Sequence, residues 1–177
     1  MIHIKGYNNT GIKEILDKAD VPKGSFYHYF RSKEDLALNI LDYHASVINN
    51  IFAYALEENK DNPFMALRCF FEVFHKKFEE LDYFGGCPLG NLSQELSDTE
   101  ENIRIKIDNI FNNIVDKIAD LLEKAKDMEI IDFKVDSRDY AQFIFNSWEG
   151  AILRAKTMKN RQSLDIFMNI IFEKMHL

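Results

Sequence analysis

The sequence predicts an all-α fold, a small helix-turn-helix head on a larger helical body. Three observations carry this. Gly and Pro are scarce, 7 and 3 in 177 residues, with long amphipathic runs between them. Within those runs apolar residues recur every three or four positions, the period of a helix with one buried face. Near the start, two short amphipathic runs flank the turn Ala19-Asp20-Val21, the layout of a helix-turn-helix.

The elements follow in order. Met1–Lys5 is long enough for about one helical turn. Gly11–Lys18 is the first helix of the pair, with Thr10 as its expected cap and Ile12, Ile15 and Leu16 on one face. Asp20 can take the left-handed backbone that the turn needs. Pro22 suits the first turn of the second helix, where its missing N–H costs nothing. Val21, Phe26 and Phe30 point that helix at a core, and Lys23, Gly24, Ser25, Tyr27 and His28 stand opposite.

Ser32 is the expected cap of a long helix, Lys33 to about Glu58, striped by Leu36, Ile40, Tyr43, Val47 and Ile51. Asn62-Pro63 opens the next, which turns Phe64, Leu67, Phe71, Phe74, Phe78 and Leu81 inward, with Phe70 flanking. Tyr83–Pro88 breaks it, and Pro88 seeds a short helix through Leu96. Ser97 and Asp98 offer caps for a long helix from Thr99 to about Lys126. Asp136 or Ser137 caps a helix over roughly Arg138–Met158, and the last runs roughly Ser163–Met175.

Composition bounds the function. Hydrophobic residues make up 46% and charged residues 29%, ordinary for a packed globular chain. No run approaches the 18 or so apolar residues of a membrane helix, and no leader-like stretch opens the chain, so a cytoplasmic protein is expected. Cys69 and Cys87 are too few for a disulfide framework and are expected as free thiols. The net charge is −7, but residues 1–35 hold six cations against five acids, so the head is +1 and the remainder −8. That asymmetry focuses phosphate attraction on the head. The expected division is residues 1–45 as head and 46–177 as body.

Gly6-Tyr7-x-x-Thr10-x-Ile12-x-x-Ile15, followed by Val21-Pro22-Lys23-Gly24-Ser25-Phe26-Tyr27-His28-Tyr29-Phe30-x-Ser32-Lys33-Glu34-x-Leu36, resembles the DNA-binding domain of the TetR/AcrR family of transcriptional regulators. The resemblance implies a homodimeric, ligand-responsive repressor that binds a palindromic double-stranded operator and lets go when a small effector binds. It implies DNA contacts from Thr10, Lys23, Gly24, Ser25, Tyr27, His28 and Lys33. Members carry a full helix ahead of Gly6-Tyr7, so the first helix here reads as truncated. Family bodies pair through their last two helices, here carrying Ala141, Ile144, Phe145, Trp148 and Ile152, then Leu164, Phe167, Met168 and Ile171. Phe70, Phe74, Phe78, Phe111, Phe143 and Trp148 are candidates for the lining of an apolar or aromatic effector pocket, although each is individually more ordinary as core.

Cys87 joins that list. Gly86-Cys87-x-x-Gly90-Asn91-Leu92-Ser93-x-Glu95 resembles the branch of the family that includes the N-ethylmaleimide reductase repressor, which senses electrophiles or oxidants through a cysteine. A thiol at a helix N-terminus, with Lys156 in the place of that branch's nearby lysine, is the corresponding redox-sensing candidate. No cofactor and no enzymatic activity are expected. Two rival readings stand beside this one. Glu72-x-x-His75 and Glu173-x-x-His176, with Glu95, Glu100, Glu123 or Glu149, fit the ligand pattern of a di-iron carboxylate bundle. The chain could also be a ligand-binding dimer of the same family that has lost DNA binding. Gly85-Gly86-x-x-x-Gly90 lacks the Lys-Ser/Thr pair of a phosphate loop.

Overall fold

The amphipathic runs and their breakers reappear as helices and turns in the computed structural model, which describes residues 1–174. The order is α1 (Ile2–Lys5), α2 (Ile12–Ala19), α3 (Lys23–Tyr29), α4 (Lys33–Glu58), α5 (Pro63–Glu80), α6 (Pro88–Leu96), α7 (Glu101–Asp127), α8 (Ser137–Met158) and α9 (Gln162–Asn169), closed by a π-turn over Ile170–Lys174. Among the described residues there is no strand. The all-α expectation holds.

Two compact units share the chain. The first takes Met1–Ser46 and Pro88–Asn109; the second takes Val47–Cys87 and the residues from Ile110 on. In the first, Ile2, Tyr7, Leu16, Phe26, Ala37 and Leu41 are buried together with Leu92, Leu96, Ile103 and Ile107. Each large side chain hidden in this way contributes about 1.5–3 kcal/mol. Although α1 is a single turn, Leu16 and Phe26 are buried, while Ile12 and Ile15 are half-buried. Contacts between α1 and α6 belong to this unit, with Asn91 Nδ2 donating to the His3 carbonyl at 3.3 Å.

The caps explain most boundaries. Asp20 takes φ 54°, ψ 44° at the end of α2, as the turn required. The Ser32 hydroxyl accepts from Asp35 N at 3.0 Å, and the Asp35 carboxylate accepts from Arg31 N at 2.8 Å, which fixes the start of α4. Asn62 caps α5 through Met65 N at 3.0 Å, and Asp136 caps α8 through Arg138 N and Asp139 N. Two expectations are corrected. Thr10 does not cap α2; Gly11 holds that place, and the Thr10 hydroxyl donates instead to the Gly6 carbonyl at 2.7 Å. The seventh helix starts at Glu101, not Thr99, because the Thr99 and Glu100 amides both return to the Leu96 carbonyl in a turn, at 3.1 and 2.8 Å. The last helix begins at Gln162 and loosens into the π-turn from Ile170; Met175, its expected end, lies outside the described residues.

In the second unit the aromatic residues supply the core. Phe52 and Phe70 stack with ring centroids 3.8 Å apart. Phe71, fully buried, meets both Trp148 and Phe167 at 5.0 Å, and those two rings are also 5.0 Å apart. Such edge-on and tilted ring pairs add about 0.5–1.5 kcal/mol each to their area burial.

Candidate functional site

α3 is short, and its sequence sorts its side chains cleanly. Phe26 is its buried anchor, 4% exposed and 5.5 Å from the Phe30 ring. Lys23, Gly24, Tyr27 and His28 are exposed, and Ser25 is half-buried. Tyr27 is 56% exposed, and Lys23 makes no ion pair among the described residues. A cation, a phenol, an imidazole and a bare backbone at Gly24 therefore lie on one surface that folding leaves unused. Those groups donate to phosphate oxygens and base edges.

Two predicted contact residues sit differently. Thr10 is fully buried, so its hydroxyl braces the Gly6–Thr10 loop instead of facing a partner. Lys33 is half-buried: its ammonium donates to the Tyr7 carbonyl at 2.6 Å and lies 4.2 Å above the Tyr7 ring. Burial, reinforced by Glu100 and Glu34, pushes the Tyr7 phenol up. From the other side Glu95 Oε2 accepts from Tyr7 N and Oε1 from Asn8 N, both at 2.7 Å. The sequence reading missed Glu95 because nothing in residues 1–45 calls for an acceptor 88 positions away.

In the second unit the predicted pocket residues do not form one set. Phe70 stacks on Phe52 and meets Phe74 edge-on at 5.2 Å; Phe78 lies 6.4 Å from Trp148. Phe111 is half-buried against Phe145 at 5.2 Å. Phe143 is 52% exposed and lines a groove of about 250 Å³ between α8 and α9, with Gly150, Ile166 and Ile170.

Cys87 is half-buried, and its thiol hydrogen-bonds to Glu149. Loss of solvent pushes the Glu149 carboxyl up, and that bond offsets it in part. Lys156 lies seven residues further along α8, two turns away on the same face. The other thiol, Cys69, is pushed up by burial and by Glu72, which suits a packing role.

The carboxylates and imidazole of the di-iron reading are committed elsewhere. Arg68 binds Glu72 at 2.8 Å and Glu173 at 2.6 Å. His75 Nε2 meets Asp165 at 2.9 Å, and Arg161 holds the same carboxylate at 2.8 Å. Glu95 is bound to backbone amides and Glu123 to the Ser137 hydroxyl. Among the described residues no group of three or more His, Cys, Asp or Glu is placed to hold a metal; His176 lies outside those residues. Nor is any described helix long and apolar enough to cross a membrane.

Comparison with known proteins agrees with this geometry. Residues 1–40 match the family of bacterial regulatory proteins described as tetR, and residues 63–171 match the tetracyclin repressor-like C-terminal domain. The HTH-type transcriptional repressor DhaR of Mycobacterium sp. GP1 is 32% identical, over 96% of this chain and 83% of the relative. The repressor NemR of Escherichia coli K12 is 28% identical, over 91% and 81%; the crystal structure of its reduced form superimposes with a TM-score of 0.87, covering 95% of this chain and 87% of that one. The crystal structure of a regulatory protein TetR from Rhodobacter sphaeroides gives a TM-score of 0.88 at 30% identity, covering 95% and 89%.

Proposed function

Because the chain belongs to the tetR family of bacterial transcriptional regulators, DNA-binding proteins that are not enzymes, we propose that it is a cytoplasmic homodimeric repressor whose two heads grip a palindromic operator. The observation that carries this is the unused polar face of α3, with Lys23, Gly24, Tyr27 and His28 exposed around the buried Phe26. Such a helix lies in the major groove, and two copies about 34–36 Å apart match one turn of duplex. The apolar rim of the α8–α9 groove, Phe143, Ile166 and Ile170, is the part of the body offered to the second copy.

The effector is a small apolar, aromatic or electrophilic molecule. Phe74 and Phe111 are half-buried and offer it aromatic surface, Phe70, Phe78 and Trp148 being packed inside, and Cys87 supplies a nucleophile. The Cys87–Glu149 bond supports the electrophilic version: once ionised, the Glu149 carboxylate, made more basic by loss of solvent, can take the thiol proton as sulfur attacks. Lys156, two turns further along α8, supplies the cation that favours a thiolate. Occupation or modification of the body changes the separation of the two heads, and a few ångströms suffice to lose the match to one turn of DNA.

Tyr27→Ala and His28→Ala test the head. Each is expected to weaken operator binding about fivefold to a hundredfold while leaving the dimer mass in light scattering unchanged. Wild-type affinity in both variants would remove α3 from the interface.

A further inference from the structure

The Gly6–Asn8 loop, which links α1 to the helix-turn-helix, is held from two sides by opposite charges. On one side Lys33 of α4 donates to the Tyr7 carbonyl and covers the Tyr7 ring. On the other, the two oxygens of Glu95 take the successive amides of Tyr7 and Asn8, each at 2.7 Å. This two-pronged, charge-assisted grip is the strong form of a hydrogen bond.

It is possible because residue 6 is glycine. Gly6 adopts φ 88°, ψ 157°, a region closed to side chains, and a Cβ there would stand 3.0 Å from both Glu95 oxygens. One turn earlier on α6, Asn91 ties the same helix to the His3 carbonyl. The loop itself is closed by Thr10, whose hydroxyl and amide return to Gly6 and Tyr7, and α2 starts two residues later. The position of the motif is thus set by a helix some ninety residues away in sequence.

We propose that Glu95 is a positioning residue of the DNA-binding head: its carboxylate fixes the Gly6–Asn8 loop and so the orientation in which α2 and α3 meet a duplex. This rests on the DNA-binding reading above and adds α6 to the machinery of recognition. Reading base edges demands a fixed register, whereas attraction to phosphate does not. Losing Glu95 therefore costs specific binding and spares non-specific binding.

The test uses the full-length dimer, a duplex that the wild type recovers from a random pool, and an unrelated duplex of equal length. Glu95→Gln keeps the shape but leaves one acceptor for two amides; Glu95→Ala leaves none. For Glu95→Gln the expected rise in Kd on the selected duplex is about tenfold, larger for Glu95→Ala. Kd on the unrelated duplex stays within about twofold, and the salt slope is unchanged because no phosphate contact is removed. Hydrogen exchange at Tyr7 and Asn8 speeds up in the free protein.

Variants that bind the selected duplex like the wild type overturn the role of Glu95 while leaving the DNA-binding reading intact. So does a parallel loss of both affinities with a falling active fraction, which marks general unfolding of the head. A wild type that recovers no duplex overturns both.

Discussion

α3 and the aromatic centre of the second unit both stand out in the sequence, and the fold treats them in opposite ways. In α3 one ring, Phe26, is spent on packing, while Lys23, Gly24, Tyr27 and His28 stay outside. In the second unit Phe71, Trp148 and Phe167 are at most 5% exposed and contact one another at 5.0 Å. A partner can use only what folding leaves over. Conspicuous side chains are thus left open to a partner in the first region and spent on stability in the second.

The largest effect that can break this contrast lies in the core. Trp148→Ala removes a ring that touches both Phe71 and Phe167 and should cost about 3–5 kcal/mol of unfolding free energy in a urea titration. A loss below about 1 kcal/mol would mean that the site is loosely packed and Trp148 is free to serve a ligand instead.

A smaller effect divides two lysines of the head. Lys33 is tied to Tyr7 by a hydrogen bond and by its ring, so Lys33→Ala should lower stability by about 1–2 kcal/mol. Lys23 has no such tie, and Lys23→Ala should change stability by less than about 0.5 kcal/mol. It should instead reduce the salt slope of DNA binding by about one, as loss of a single phosphate contact does. If the two variants behaved alike in melting and salt titration, the distinction between used and unused cations in the head would collapse.

These lysines also mark where the sequence was legible. Helix periods, the Asp20 turn, the Ser32 cap, the helix start at Asn62-Pro63 and the exposed face of α3 follow from local spacing, because each depends on residues close in sequence. Lys33 and Thr10 did not follow, since their partners are backbone carbonyls in the Gly6–Tyr7 segment, and carbonyls carry no sequence signal. Glu95 was invisible for the same reason: its partners are two amides. The grouping of Pro88–Asn109 with Met1–Ser46 also depends on packing between distant stretches. In the body, aromatic spacing identified buried faces but could not separate Phe143, which lines the outer α8–α9 groove, from Phe70 and Trp148, which are packed inside.

The smallest effect concerns Glu149, an acid that is pushed up by loss of solvent and bonded to a thiol. Its carboxyl holds a proton to higher pH in the folded chain than in the unfolded one, where such groups titrate near about 4.3. Between those two values the folded state carries more protons, so its stability falls as pH rises. Below the unfolded value the contribution is fully present; above the folded value it is gone. Glu149→Gln cannot ionise and should be more stable than the wild type at neutral pH, by up to about 1 kcal/mol. Its advantage should shrink to nothing near pH 4. The difference between the two stability curves isolates this group from every other acid. A flat difference would show that Glu149 is solvated and that loss of solvent is confined to the aromatic centre of the second unit.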